Sequence, residues 1–363
     1  MKIGLVIYGD LATLSGGYLY DRLLVDYLRR CGDTVEVVSI PPASYGRCLG
    51  QNFSTPLREK LCNADFDILL QDELNHPSLF LLNRFLRRRV SYPVIGIIHH
   101  LRCSEQWSPI ESACYRWIEK RYLKTLDGFV FNSHTSSATI DSLISASQPS
   151  VIAYPGGNRL EPDTSDPRVD NISLEKKIRS DGPVGLLFVG NVIPRKGLHT
   201  LIEALALLSE KDWTLDIVGR PDVDSGYTRA IKERVENLGL EDKLVWSAAL
   251  NDEQLKSRYR LNHVLVVPSQ YEGFGIVYLE AKGFGLPGIA TDAGAAHEII
   301  EHGTDGFLVP PENAQALANC LGQFIDDRQR LLKMSQAGIR RYKMYPTWTQ
   351  SAAKIRTFLE GFV

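Results

Sequence analysis

The chain has 363 residues, of which 44% are hydrophobic and 23% charged, as in an ordinary soluble globular protein, and this length favours two domains over one. The formal net charge of −2 argues against a nucleic-acid-binding protein as the first hypothesis. The six cysteines form no C-x-x-C pair and have no histidine cluster beside them, which argues against a zinc site and favours a reducing compartment.

The first half of the chain alternates short apolar runs with helical patterns, as expected for parallel strands joined by helices. Lys2–Tyr8 is the first predicted strand, and the pair Gly16-Gly17 leads from it into a predicted helix. Further strands are predicted at 35–40, 66–70, 94–98, 128–131 and 151–154. This order begins a doubly wound unit, although the G-x-G-x-x-G fingerprint of dinucleotide-binding proteins is absent.

Polar residues directly follow two of these strands. Asp72 and Glu73 follow the run at 66–70, and His99-His100 follows the run at 94–98. Residues at the carboxyl ends of parallel strands tend to face the ligand crevice. Asp72 and Glu73 are therefore candidates for an acceptor site, and the alternative is that they are loop charges and helix caps. A histidine in this place either binds a ligand or is a satisfied structural group.

A second doubly wound unit is predicted to begin at Val184–Val189, with further strands at 215–219, 244–247, 264–267, 288–291 and 306–309. Before it, residues 158–182 are predicted to be a linker with a short helix near 173–179. Arg195 and Lys196 stand between a strand and a helix start. They can neutralise a diphosphate there, unless they are solvated loop charges. Gly219 ends the next strand, where a nucleotide base would rest.

The segment Pro268–Glu280 combines a strand end, a glycine-rich turn and a helix start. Gly275 lets the backbone turn sharply or approach a ligand closely. The helix from Ile276 points free N–H groups over the turn, which makes an anion site. Glu272 lies in the loop and Glu280 two turns into the helix. They can grip the two ends of a polyhydroxylated ligand, or be one capping and one solvated carboxylate.

This segment resembles the paired-glutamate motif of the retaining glycosyltransferases of family four, which have the GT-B fold. The resemblance implies an α/β protein with two doubly wound, Rossmann-like domains that face each other across a cleft. It implies that Glu272 contacts the donor sugar and that Glu280 holds the ribose of the nucleotide. It also implies that the loop amides of Phe274, Gly275 and Ile276 hold the sugar and the diphosphate.

The same resemblance implies roles in the first half of the chain. It places His99 where a histidine touches the donor sugar and the reacting phosphate. His100 occupies a position that is often Asp in the family. Gly16 and Gly17 correspond to a loop that closes over the donor phosphates.

The family commonly reads V-G-R at the strand end and K-G before the next helix. Here Asn191 replaces that arginine, and Arg195 stands beside Lys196. We assign both cations to the diphosphate. With the helix N-terminus, they can stabilise the leaving-group charge without a divalent metal, and no D-x-D-like metal motif is present.

The predicted domains are an N-terminal acceptor-side domain at 1–165, to which a C-terminal helix at 346–363 returns, and a donor-binding domain at 180–345. The predicted reaction moves a sugar from a UDP- or GDP-sugar, with UDP preferred, to a hydroxyl of a sugar, lipid-linked or small-molecule acceptor. Retention follows the family, and neither metal nor cofactor is expected. The alternatives are a nucleotide-sugar epimerase or hydrolase on the same fold and a non-catalytic nucleotide-sugar-binding protein.

One stretch of the first half is basic. From Arg84 to Lys124 there are nine Lys and Arg against three Asp and Glu, so the local charge is +6, and the aromatic residues there are Phe85, Trp107, Trp117 and Tyr122. Such a surface can bind anionic lipid headgroups. No apolar run reaches 18 residues and no signal-peptide pattern precedes the first strand. We therefore expect a cytoplasmic protein with peripheral contact at the inner membrane face. The alternative is core aromatics and a soluble acceptor.

Overall fold

The computed structural model describes residues 1–160 and 167–363, and side chains are described up to residue 160 and again from residue 172. Residues 161–166 of the predicted linker 158–182 lie outside the described residues. The chain divides into two compact units. Unit 1 consists of Met1–Pro155 together with Pro346–Val363, and unit 2 is Gly156–Tyr345.

Unit 1 is built on a six-stranded parallel sheet. Its strands are β1 (Lys2–Tyr8), β2 (Thr34–Ile40), β3 (Ile68–Asp72), β4 (Val94–Ile98), β5 (Gly128–Phe131) and β6 (Ser150–Ile152). They lie in the order β2-β1-β3-β4-β5-β6, with Ile3 of β1 in register with Val35 of β2 and Ile68 of β3. The strand order reverses between β1 and β3, so the ligand crevice of a doubly wound sheet is expected at their carboxyl ends.

Helices cover both faces of this sheet. They are α1 (Gly16–Arg30), α2 (Tyr45–Gly50), α3 (Thr55–Cys62), α4 (His76–Leu79), α5 (Leu82–Leu86), α6 (Pro109–Leu123) and α7 (His134–Ile144). Alternate strand residues enter opposite cores: Val6 and Leu69 lie in one, Leu5 and Leu70 in the other. Burial on both faces explains why the strands are continuous apolar runs.

One predicted helix, at 78–88, is interrupted and forms α4 and α5 instead. The side chain of Asn52 accepts hydrogen bonds from the backbone N–H groups of Leu81 and Leu82 at 2.9 and 3.2 Å. A side chain that captures these amides competes with the helical hydrogen-bond ladder. The local apolar pattern gave no sign of this distant partner.

Unit 2 contains a second six-stranded parallel sheet, in the order β12-β11-β10-β7-β8-β9. Its strands are β7 (Val184–Val189), β8 (Trp213–Val218), β9 (Leu244–Ser247), β10 (Val264–Val266), β11 (Gly288–Thr291) and β12 (Gly306–Val309). Here the order reverses between β7 and β10. The predicted fold class of two doubly wound α/β domains is confirmed.

The helices of unit 2 include two that the sequence patterns did not predict, α11 and α15. The set is α8 (Pro167–Arg179), α9 (Leu198–Ala206), α10 (Ser225–Asn237), α11 (Asp252–Leu261), α12 (Ile276–Gly283), α13 (Ala296–Ile299), α14 (Ala314–Asp326) and α15 (Arg328–Tyr342). None of the helices in the described part of the chain combines the length and the apolar character that crossing a bilayer requires.

The last helix, α16 (Trp348–Glu360), belongs to unit 1. Its buried residues Ala352, Ile355 and Leu359 join the core that also contains Leu5 and Leu70. On its outer side, the Arg356 guanidinium donates to the buried Asp33 carboxylate at 2.8 Å. The helix therefore completes one face of the unit 1 sheet.

Candidate functional site

In unit 2, the polar residues gather where the strand order reverses, after β7 and β10. The backbone of Glu272 is held there by two hydrogen bonds. Its N–H donates to the Ala293 carbonyl at 3.3 Å, and its carbonyl accepts from the Ala295 N–H at 2.9 Å. Gly294 lies between these partners with φ of +86°, and a Cβ atom on it would lie 2.1 Å from the Glu272 carbonyl oxygen. A glycine is therefore required to hold Glu272 in this place.

The Glu272 side chain is paired with Lys196. The ammonium Nζ of Lys196 donates to Oε2 of Glu272 at 2.6 Å, and the hydroxyl of Ser269 donates to the same oxygen at 3.1 Å. The other carboxylate oxygen, Oε1, has no hydrogen-bond partner among the described residues. Glu272 is thus fixed through one oxygen and can accept a hydroxyl of a ligand with the other.

The electrostatics of this pair depend on both its burial and its partners. Burial alone would raise the pKa of Glu272, but Lys196 and Arg195 outweigh burial and hold the pKa below its ordinary value. Burial and the neighbouring Arg195 lower the pKa of Lys196, and Glu272 offsets this only in part. An ammonium has three N–H donors, and Glu272 takes one of them, so two remain for an anionic ligand.

Arg195 contacts the loop that carries Glu272. Its guanidinium donates to the Tyr271 carbonyl at 3.2 Å, and its own carbonyl accepts from the Gln270 N–H at 2.8 Å. Gly197, with φ of +70°, follows the two cations and is the N-cap of α9, and a Cβ there would lie 2.0 Å from the Pro268 carbonyl oxygen. The loops after β7 and β10 therefore lie in direct backbone contact.

Gly219 lies in a similar close approach. A Cβ atom on it would lie 1.9 Å from the Gly190 carbonyl oxygen, so the loops after β8 and β7 touch at two glycines. Packing thus accounts for this glycine, and its predicted contact with a nucleotide base stays a prediction.

The turn between the two glutamates has the predicted geometry. Gly275 has φ of +92° and precedes the first residue of α12, Ile276. A Cβ on Gly275 would lie 2.5 Å from the Tyr278 ring. Phe274 is buried and supplies backbone rather than an exposed side chain. The first amides of α12 therefore begin next to Glu272.

Glu280 has partners that the sequence did not reveal. Arg159 donates to its Oε1 from Nε at 2.9 Å, and the hydroxyl of Tyr259 donates to Oε2 at 3.2 Å. Arg159 also pairs with Asp252 at the start of α11. Burial raises the pKa of Glu280, although Arg159 opposes this. A ribose that binds Glu280 must therefore share this carboxylate with Arg159.

In unit 1, His99 directly follows β4, one strand away from the place between β1 and β3 where the strand order reverses. Its Nε2 is 3.1 Å from Oδ1 of Asp21, and its backbone N–H donates to Glu73 at 2.8 Å. A Cβ on Gly17 would lie 3.2 Å from the His99 ring, so this glycine packs directly on the imidazole. Gly16 is the first residue of α1, and the Ser15 hydroxyl caps that helix. The structure brings together the predicted glycine pair and His99.

Asp72 and Glu73 are buried rather than exposed at a surface. The Asp72 carboxylate accepts from the Leu74 N–H at 2.8 Å, as a cap of a 3-10 turn. The Glu73 carboxylate accepts from the backbone N–H groups of His99 and His100 at 2.8 and 3.2 Å. These contacts favour the capping alternative over direct acceptor contact, because both carboxylates face protein groups.

Asp21, Asp72 and His99 also offer atoms within 4.8 Å of one another, a grouping that could hold a cation. Two of those atoms, His99 Nε2 and Asp21 Oδ1, are already within hydrogen-bond distance. Burial and the neighbours Glu73 and Asp21 raise the pKa of Asp72 well above its ordinary value. We interpret the group as a hydrogen-bonded cluster rather than a cation site.

Asp21, Arg159 and Ser269 were missed by the sequence analysis. Asp21 follows Gly17 by four residues and so lies on the same side of α1, a spacing that could have indicated it. Arg159 lies outside any recognised pattern, and only the fold brings it to Glu280.

Comparison with known proteins gives a match over much of unit 2. Residues 170–341 match the family model described as glycosyl transferases group 1. The chain is 27% identical over 197 residues to the GDP-mannose-dependent alpha-(1-6)-phosphatidylinositol monomannoside mannosyltransferase of Mycobacterium tuberculosis. The matched stretch covers 52% of this chain and 50% of that protein. The chain thus spans about half the length of the first curated relatives it matches.

Solved structures match the whole chain. Sucrose-phosphate synthase from Thermosynechococcus elongatus has a TM-score of 0.83 at 22% identity and covers 99% of this chain and 98% of its own. Anabaena HepE in complex with UDP-glucose has a TM-score of 0.78 at 20% identity, with coverage of 99% and 100%. These likenesses show the GT-B type of two-domain Rossmann-like fold. Together with the family match, they support a glycosyltransferase.

Proposed function

We propose that this protein is a retaining glycosyltransferase that moves a sugar from a UDP- or GDP-sugar to a hydroxyl acceptor without a divalent metal. The observation that carries the proposal is the partly buried Glu272–Lys196 pair, 2.6 Å apart, beside the first turn of α12. The name of one relative includes GDP-mannose, and one structural neighbour holds UDP-glucose, so both donor classes are candidates. The resemblance to family four supports retention.

In the proposed reaction, the bond between the sugar's anomeric carbon and the diphosphate oxygen breaks, and its electron pair leaves with the diphosphate. The acceptor hydroxyl forms the new glycosidic bond, and its proton passes to the departing diphosphate. Negative charge develops on the diphosphate, so donors fixed in advance stabilise the transition state. Lys196, Arg195 and the amides that open α12 are these donors, and Glu272 orients the sugar through Oε1.

The test is a panel of nucleotide sugars, first by thermal shift and then by turnover. A donor that binds the folded state raises its melting temperature, and Lys196→Ala should abolish that rise. Lys211→Ala is the matched control, because Lys211 pairs with Asp326 on the surface. Failure of every UDP- and GDP-sugar to shift the wild-type melting temperature would contradict the proposal.

Turnover with and without acceptor separates the enzymatic alternatives. A transferase consumes donor rapidly only when an acceptor hydroxyl is present. An epimerase or hydrolase converts donor at the same rate without it, and a binding protein shows a thermal shift with no conversion.

We further propose that unit 1 meets an anionic lipid surface through one side of α6, which gives access to a lipid-linked acceptor. Ile110, Ala113, Cys114 and Trp117 have the spacing of one helix face, and all are exposed, Ile110 by 83% and Trp117 by 50%. We call this set the α6 outer face. It is flanked by basic residues of the same segment, Arg116, Lys120, Arg121 and Lys124.

The structure revises which residues of the basic segment can take part. Tyr122 is core, and Arg87 is paired with Asp127 at 2.8 Å. Phe85 and Trp107 are partly buried, whereas Trp117 is exposed, with the Arg121 guanidinium 3.4 Å from the centre of its ring. Trp117 is therefore the most exposed of the four aromatic residues named for this segment.

Co-sedimentation with vesicles of varied anionic lipid content tests this surface. Binding should rise with anionic lipid, fall with salt, and drop when Trp117→Ser is combined with Lys120→Ser. Arg84→Ser, Arg87→Ser and Arg88→Ser together should have a smaller effect. A wild-type protein that stays in the supernatant at low salt would leave a soluble sugar as the acceptor.

A further inference from the structure

The buried surroundings of His99 raise a question that the proposed chemistry leaves open, namely which ring nitrogen faces the ligand. Nε2 of His99 is 3.1 Å from Oδ1 of Asp21, and the Asp21 side chain is fully buried. Nδ1 has no hydrogen-bond partner among the described residues. The imidazole is thus anchored through one nitrogen and open at the other.

We propose that Asp21 is a positioning residue, which holds the imidazole through Nε2 so that Nδ1–H is the donor presented to an anionic ligand. The proposal deepens the proposed function and rests on it for the identity of the ligand. Asp21 does not itself contact the ligand. It acts through His99.

The packing around the ring leaves the imidazole little freedom. The Tyr20 ring packs edge-on against the His99 ring, with ring centroids 5.1 Å apart. Gly17, one turn earlier in α1, has no side chain and so leaves space for the His99 ring. The Asn132 side chain donates to the His99 carbonyl at 3.1 Å, and Glu73 accepts from its N–H. Side chain and backbone are both fixed, as pre-organised hydrogen bonding at a developing charge requires.

The charges that face the ring favour its doubly protonated form. Asp21 from α1, Asp72 at the end of β3 and Glu73 in the following turn are the titratable groups around it. Burial alone would lower the pKa of His99, but Asp21, Glu73 and Asp72 outweigh burial and raise the pKa to about 10. At neutral pH the ring is therefore a cation with N–H groups at both nitrogens.

The test combines histidine NMR with kinetics, using Asp21→Asn, Asp21→Glu and the control Asp26→Asn. Asp26 lies on the same helix but is exposed. The NMR signal of the His99 ring is assigned as the one that disappears in His99→Gln. In the wild type, this ring should stay protonated above pH 8. In Asp21→Asn its pKa should fall towards the ordinary value of about 6.5, so that kcat drops by up to about 30-fold at pH 8 and little at pH 6.

Other outcomes overturn the inference. If His99 of the wild type titrates near its ordinary pKa, the inference is wrong. This measurement needs no variant, so it holds even if Asp21→Asn fails to fold. The inference is also wrong if the rate of Asp21→Asn falls equally at all pH values. It is wrong too if Mn²⁺ selectively broadens the His99 signal, which would indicate a cation in place of the hydrogen bond. The titration needs no substrate, so failure of the proposed function would show separately, as absent donor binding with the high His99 pKa intact.

Discussion

Both units are doubly wound six-stranded parallel sheets, with different strand orders, and yet they hold opposite charge near the point where the strand order of each sheet reverses. In unit 2, one carboxylate, Glu272, faces two cations, Lys196 and Arg195. In unit 1, one imidazole, His99, faces three carboxylates. Each parallel sheet thus places polar residues at the carboxyl ends of its strands, and the identity of those side chains decides the chemistry of the site. The surplus of positive charge in unit 2 supports the proposed binding of a diphosphate there.

The largest effect is expected from removing charge in unit 2. Lys196→Ala or Glu272→Gln should lower kcat/KM by roughly 100-fold or more, because each removes a fixed electrostatic contact at the developing charge. Steady-state kinetics with the donor found by thermal shift would measure this loss. Lys211→Ala should be within twofold of wild type, and near-wild-type transfer by the first two variants would refute the assignment.

A smaller effect is expected in unit 1 from a single methyl group. Gly17→Ala places a Cβ 3.2 Å from the His99 ring and must displace the ring by a few tenths of an ångström. We expect roughly a 10-fold loss of kcat/KM, since small misplacements of reacting groups are costly. Gly46→Ala is the control, because nothing lies within 4 Å of its added methyl. Equal activities of the two variants would mean that His99 is not needed in this position.

The two sites should also respond to pH in opposite directions. The raised pKa of His99 means that its contribution to stability is complete below about 6.5 and is lost as pH rises towards 10. The lowered pKa of Glu272 means that its contribution is present above about 4.5 and is lost as pH falls through the lower folded value. Urea denaturation of His99→Gln and Glu272→Gln should flatten the alkaline and the acid limb, respectively. A flattening of the opposite limb in either variant would contradict the account.

The smallest effect is expected from chelation. If Lys196, Arg195 and the α12 amides already neutralise the diphosphate, EDTA should change the rate by less than about twofold. Loss of transfer in EDTA with rescue by magnesium or manganese would show that the donor site works differently.

The sequence predicted the unit 2 site better than the unit 1 site because the unit 2 residues are close in the chain. Glu272, Gly275 and Ile276 lie on one strand–turn–helix segment, whose pattern fixes their relation. Lys196 is farther away but follows a strand of the same sheet, and parallel strands bring their carboxyl ends to one edge.

The unit 1 cluster could not be predicted in the same way. Asp21, Asp72 and His99 come from three separate elements, and whether each side chain turns inward depends on packing between them. The sequence offered Asp72 and Glu73 as acceptor-site candidates, with loop charges and helix caps as the alternative. In the structure both are buried: Asp72 caps a 3-10 turn, and Glu73 accepts from the backbone of His99 and His100. The partnership of Glu280 with Arg159 was hidden for the same reason, since it joins residues 121 positions apart.

The position of α16 has a consequence for how the chain is made. Unit 2 is one continuous stretch, Gly156–Tyr345, inserted into unit 1. The core residues that α16 contributes to unit 1, Ala352, Ile355 and Leu359, are therefore translated after unit 2. Domains tend to fold as units while the chain emerges from the ribosome. Unit 2 can therefore finish folding while one apolar face of the unit 1 sheet still waits for its final helix. Until α16 is made, α1 covers that face only in part, so the unfinished chain exposes apolar surface there that can aggregate.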